Sequence, residues 1–171
     1  MLQLKEIAVS RHVALESDFY VPIKIRIGIW NTGIDQLVYW RIGNLETSMF
    51  EIGIKQKDGT IYSLTLVSAT KSQIKQNSNG NKVIEKFGLP ALKIDKWQDD
   101  KLHYINDIRD FKIFINNNSV SFILAPKKIE MKIINDIVTF GFDKEQSLCM
   151  IEINTCDSKV KENLKENLEN K

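Results

Sequence analysis

The chain has 171 residues, 43% of them hydrophobic and 27% charged, with a formal net charge of +2. That length suits one domain with a sizeable buried core, and the charge is too small to draw the chain to nucleic acid or to an anionic membrane. The one local bias lies in residues 68–103, where seven basic and four acidic side chains are mostly spaced singly, as on a solvated loop, and no apolar run approaches the roughly 18 residues of a membrane span.

Taken in chain order, residues 2–15 carry apolar side chains at Leu2, Leu4, Ile7, Val9, Val13 and Leu15. The spacing slips between Leu4 and Ile7, which fits one strand with a bulge or two short strands. Pro22 opens PIKIRIGIW, in which Ile23, Ile25, Ile27 and Ile29 share one face and Lys24, Arg26 and Gly28 the other. Asn31-Thr32-Gly33 ends it, and Gln36–Ile42 is a shorter apolar run. A hairpin follows: Phe50, Ile52 and Ile54 on one arm, the turn Lys57-Asp58-Gly59-Thr60, then Tyr62, Leu64 and Leu66 facing the same way on the return.

The character changes over 68–106. Lys71–Lys82 (KSQIKQNSNGNK) has one apolar residue in twelve and reads as a mobile loop. Phe87-Gly88-Leu89-Pro90 reads as a turn, and Ile94–Ile105 as either a short helix or an irregular segment. Alternation returns at Phe111–Ile115 and Ser119–Leu124 around Asn116-Asn117-Asn118. Ile129–Ile134 and Ile137–Phe142 follow around Asn135-Asp136, and then the last strand at Leu148–Ile153. In the tail, Val160, Leu164 and Leu168 fall at i, i+4 and i+8, giving a C-terminal helix one thin apolar stripe that either docks or frays. The pattern predicts a mainly β, antiparallel sandwich or strongly twisted sheet with about eight to ten strands. Residues 1–156 form a single domain with an irregular insertion at 68–106, and 157–171 form a charged, helical tail.

Chemistry is sparsely signalled. His12 and His103 are isolated, and no cysteine or second histidine stands at metal-ligand spacing to either. Phosphate-binding, dinucleotide-binding, nucleophile-elbow and HExxH motifs do not occur. Cys149 and Cys156 make no disulfide framework and read as reduced thiols, and the N-terminus lacks the pattern of a secretory leader; a cytoplasmic protein is expected. The expectation is a binding protein without catalytic turnover, cofactor or metal. Trp and Tyr carry binding energy when exposed. Trp97, Asp99, Asp100 and Tyr104 combine aromatic anchors with clustered acids outside the strand pattern, so the partner surface is expected there, joined by Glu46 and Asp35 from loops. Trp30, Trp40 or Trp97 as a stacking platform for a small ligand or carbohydrate is the alternative.

Two stretches carry a resemblance. In residues 45–67 an apolar-Glu-apolar strand (Phe50-Glu51-Ile52) leads through Asp58-Gly59 to a return strand with Ile61, Ser63, Leu64 and Leu66. In residues 138–153 a Phe-Gly-Phe-Asp turn (Phe140, Gly141, Phe142, Asp143) precedes a closing strand with Leu148, Ile151 and Ile153. Both resemble pieces of immunity proteins from bacterial contact-dependent growth inhibition and related polymorphic toxin systems. The resemblance implies a small cytoplasmic protein whose partner is its cognate toxin domain, which it neutralises by blocking it. Neither nucleic acid nor membrane is an expected partner.

Overall fold

The β-branched alternations do form strands, and strands also appear where the pattern predicts none. A computed structural model describes residues 1–18, 20–30, 36–70, 74–75, 83–95, 103–154 and 157–169, with 74–75 and 168–169 as backbone alone. In chain order the strands are β1 (Leu4–Ala8), β2 (Val13–Glu16), β3 (Ile23–Ile27), β4 (Leu37–Gly43), β5 (Met49–Lys55), β6 (Ile61–Ser68), β7 (Ile74–Lys75), β8 (Ile84–Phe87), β9 (Leu89–Leu92), β10 (Tyr104–Ile108), β11 (Lys112–Ile115), β12 (Ser119–Ile123), β13 (Met131–Asn135), β14 (Val138–Phe142) and β15 (Leu148–Asn154). Helix α1 (Ser158–Glu169) follows.

These strands make a six-stranded sheet in the order β10-β4-β5-β6-β3-β2, a seven-stranded sheet in the order β7-β11-β12-β15-β14-β13-β8, and a two-stranded sheet, β1-β9. The inner faces of the two large sheets share one apolar core. At its centre the Phe50 ring stacks on Phe122 at 4.4 Å between centroids, and Phe111 lies 6.1 Å from Phe50. All three rings are fully buried, as are Trp40, Ile52, Ile54, Phe140 and Phe142. Burying such a side chain contributes roughly 1.5–3 kcal/mol relative to leaving it in water. The small sheet ties the layers together. Leu92 donates its N–H to Gly59 O in the β5–β6 turn (2.7 Å), and Leu148 of β15 donates to Leu2 O (2.9 Å). Gly59, at φ +80°, has no room for a side chain, since a Cβ would lie 2.2 Å from Leu92 O.

Several expectations are corrected. The described parts of 68–106 are not uniformly irregular: they supply β7, β8, β9 and the start of β10. The fold is mainly β and mainly antiparallel as expected, with three parallel pairs supplied by these strands: β10 with β4, β7 with β11 and β8 with β13. Parallel neighbours need long crossovers, which local alternation does not reveal. The N-terminal segment takes the second of its two expected forms, two short strands, here in different sheets, while the strand count exceeds ten. Ile29 is not on the core face. Gly28, at φ +74°, ends the β3 alternation, and Ile29 is left 85% exposed. Tyr62 does not share a face with Leu64, because the β5–β6 register shifts between Gly53 and Ile54. That bulge turns Ile61 into the core and Tyr62 outward. Phe140-Gly141-Phe142 is strand rather than turn, and the turn begins at Asp143. Lys71–Lys82, apart from the backbone of Ile74–Lys75, lies outside the described residues.

The tail docks. Asp157 Oδ1 accepts the Lys159 N–H (2.8 Å), capping α1, and Val160 and Leu164 are buried in the common core. Asn163 donates to Ser17 Oγ (3.0 Å), and Lys161 Nζ donates to Asn117 O, so the helix reaches both the chain after β2 and the β11–β12 turn.

The Phe50–Phe122 contact generates a test. Phe50→Ala should cost about 3–5 kcal/mol of unfolding free energy, read from urea denaturation. Phe87→Ala, at a ring 75% exposed, should stay within about 0.5 kcal/mol of wild type. Equal losses would mean that the core is not centred on the sheet-to-sheet contact.

Candidate functional site

Strand alternation sends every second side chain of the six-stranded sheet away from the core, and the registers align those residues into rows. One row runs Tyr104–Tyr39–Gly53–Ser63–Arg26–Ala14, and the next runs Asn106–Arg41–Glu51–Thr65–Lys24–Glu16. The Arg41 guanidinium lies 4.4 Å from the Tyr104 ring centroid, and its Nε donates to Glu51 Oε2 at 2.9 Å. This cross-strand pair holds the Arg41 guanidinium over the ring. Tyr39 lies beside Gly53, where a Cβ would come 2.3 Å from Ser63 Oγ and 3.4 Å from the Tyr39 ring. Ser63 and the Tyr39 ring close over Gly53, so no larger residue fits between them. Burial pushes the Tyr39 phenol above its ordinary value and Glu51 adds to the rise, with Arg41 opposing it.

Further along the face, Trp30 and Tyr62 meet at 5.0 Å with their planes tilted by 48°, and Lys55 Nζ sits 5.4 Å from the Tyr62 ring. Lys55 Nζ also donates to Ile29 O (3.3 Å). Tyr39, Tyr62 and Tyr104 stand on strands of this sheet with Trp30 just beyond β3, and a cation sits near the Tyr104 ring and another near the Tyr62 ring. Beside it, Arg11, His12, Ala14, Arg26, Gly28 and Ile29 line a shallow pocket of about 250 Å³.

Of the residues expected from sequence, Tyr104 joins this face, 41% exposed. Trp97, Asp99, Asp100 and Asp35 lie outside the described residues. Glu46 is exposed in the Asn44–Ser48 loop, where Asn44 Oδ1 accepts the N–H groups of Glu46, Thr47 and Ser48 (3.0, 2.9 and 2.9 Å). That loop follows Gly43, which pairs with Ile108, whereas Tyr104 pairs with Tyr39. Glu46 and Tyr104 therefore stand at opposite ends of β4, about 13 Å or more apart along the strand, and do not form one patch. Trp40 cannot serve as a stacking platform: it is 1% exposed, with Nε1 donating to Asp107 Oδ2 (3.2 Å). Arg41 and Lys55 are not among the residues expected from sequence, Tyr39 reads there as one of several aromatics from strand edges and loops, and Glu51 as part of the Phe50-Glu51-Ile52 strand. Their signal was the polar half of the β4–β5 alternation, which becomes a face only when register aligns it.

The remaining polar clusters are structural. Asp143, almost fully buried, accepts the N–H groups of Glu145 and Ser147 (2.9 and 2.8 Å) and the Lys127 ammonium (2.6 Å). Burial would raise its carboxyl, but the Lys127 and backbone hydrogen bonds outweigh that and hold it below the ordinary value. Cys149 is fully buried, burial pushing its thiol up to about 11, so it is a thiol rather than a thiolate at neutral pH. His12 Nδ1 lies 3.3 Å from Asp136 Oδ2. Among the described residues, no three His, Cys, Asp or Glu side chains gather as a metal-binding group, and no helix is long and apolar enough to cross a membrane.

The Asp143 turn has a pH signature. A carboxylate held below its unfolded pKa of about 3.9 contributes stability that is present above that value and lost as pH falls through the folded one. Asp143→Asn should lower the melting temperature most at pH 6–7, and the gap to wild type should narrow toward pH 2. A gap that is constant across the range would contradict this charge-based origin.

No protein-family model matches the chain, and a search of curated proteins returns no match.

Proposed function

We propose that this protein works by stoichiometric binding: it captures a protein partner on the outer face of the six-stranded sheet and neutralises it by occlusion, as an immunity protein does for the toxin of its own system. The observation that carries this reading is the aromatic and cationic face of Tyr62, Lys55, Tyr39, Arg41 and Tyr104 on the strands, with Trp30 packed on Tyr62 just beyond β3. Aromatic and arginine side chains dominate the energy of protein interfaces, and a surface that is already in its bound geometry avoids the ordering cost of binding. Along the two rows and at Lys55 beside them, Lys24, Arg26, Arg41 and Lys55 outnumber Glu16 and Glu51, so the matching partner surface is acidic or aromatic. The hairpins that resemble immunity proteins include β5 and β6, the middle of this face. The site of action in this reading is the cytoplasm, where the toxin domain would be intercepted before reaching its target.

The test is capture of the toxin domain encoded beside this chain, followed by calorimetry with purified variants. Tyr104→Ala and Arg41→Ala should each weaken binding by about 1–2 kcal/mol, roughly 5–30-fold in Kd. Glu85→Ala, on the seven-stranded sheet, should bind as wild type. Failure of the neighbouring toxin domain to bind would overturn the immunity reading. Wild-type affinity in both face variants would move the interface elsewhere.

A further inference from the structure

A second surface is written in the backbone. Each large sheet ends in two strands whose outer hydrogen-bonding groups need partners or protection, and the four edges are treated differently. At β2, the outward Val13 N–H is taken by Asp136 Oδ2 (2.8 Å), and the neighbouring Arg11 N–H by Asn135 Oδ1 (2.8 Å). β7 is two residues long. β8 is four residues long and carries Glu85 and Lys86. β10 is the longest edge, at five residues, and its exposed side chains are Tyr104, Asn106 and Ile108, none of them charged.

The parallel pairing with β4 determines which groups of β10 point away from it. Tyr39 donates its N–H to His103 O (2.8 Å). By the alternation of a parallel ladder, Ile105 and Asp107 then turn their N–H and C=O groups toward β4, and Tyr104, Asn106 and Ile108 turn theirs outward. No hydrogen bond to these outward groups occurs among the described residues. A donor and acceptor on every second residue, over five residues, is a template for one more strand.

We propose that this strand is β10 of a second copy, paired antiparallel about a two-fold axis at Asn106. The sequence YINDI is self-complementary in that register. Asn106 opposes Asn106, Tyr104 opposes Ile108, and Ile105 opposes Asp107. No charge meets a like charge, and the aromatic side chain meets a β-branched one, which is a favourable cross-strand pair. Six N–H···O=C bonds close the ladder, two at each of the three outward residue pairs. The two six-stranded sheets become one continuous twelve-stranded sheet, and both aromatic–cationic faces lie on it. Five residues a side is well short of the 20–30 of a standard interface, so the assembly is a concentration-dependent equilibrium rather than a permanent dimer. This inference stands on the open edge and does not depend on the toxin-binding reading.

Sedimentation equilibrium of the whole chain over a wide concentration range, with amide hydrogen exchange at low and high concentration, tests it. The weight-average mass should rise from 19.7 kDa toward twice that value, and the amides of Tyr104, Asn106 and Ile108 should gain protection as it does. Asn106→Pro removes only an outward donor, so it should leave the intramolecular ladder intact and hold the mass at that of the monomer. Ile108→Lys places a guarding charge on the edge and should do the same, so the test survives if the proline variant fails to fold. A wild-type mass that stays monomeric at every concentration would overturn the proposal. So would self-association that persists in the folded variants, or protection that appears at other edges instead.

Discussion

Everything in this fold follows from the meeting of two apolar sheet faces at Phe50 and Phe122. Each sheet alone would leave a row of isoleucine, leucine and phenylalanine side chains in water, and the two rows remove each other from it. Because the inner faces are committed to that contact, the alternation in β4, β5, β6 and β3 has one free face left. Whatever the protein does through this sheet, it does with the polar half of those strands. Arg41, Glu51, Tyr39 and Lys55 are therefore consequences of core packing as much as Ile52 and Ile54 are.

Once the sandwich is set, its ends and edges become the remaining problem. The β1–β9 sheet fastens the β5–β6 turn to the start of β15, and α1 lays Val160 and Leu164 into the common core. Asn135, fully buried, donates Nδ2–H to Arg11 O (2.9 Å) and accepts the Arg11 N–H, so a side-chain amide stands in for a missing strand beside β2. Asp143 performs a similar substitution in the β14–β15 turn. These buried polar groups are fully partnered: no buried side-chain nitrogen or oxygen among the described residues lacks a hydrogen bond. Among the edge strands of the two large sheets, β10 is the longest and its exposed side chains are uncharged, and its self-complementary sequence gives it a physical use.

Strands wherever β-branched residues alternated, a hairpin at Asp58-Gly59, a buried Cys149 and a helical tail were legible in the sequence, because each depends on local chemistry: pleat periodicity, positive φ at glycine, and a stripe at helical spacing. Three-dimensional register decided the rest. The bulge at Gly53/Ile54 that exchanges Ile61 for Tyr62 has no local signature, since either residue suits a strand. Strands β8, β9 and the start of β10 come from a stretch that reads as an irregular insertion, and they pair with neighbours far away in sequence, parallel in the case of β8 and β10. The separation of Glu46 from Tyr104 and the burial of Trp40 follow from the same pairing. Periodicity tells which side chains share a face; only the pairing of strands tells which faces meet, because that free energy comes from contacts between residues that the chain itself keeps apart.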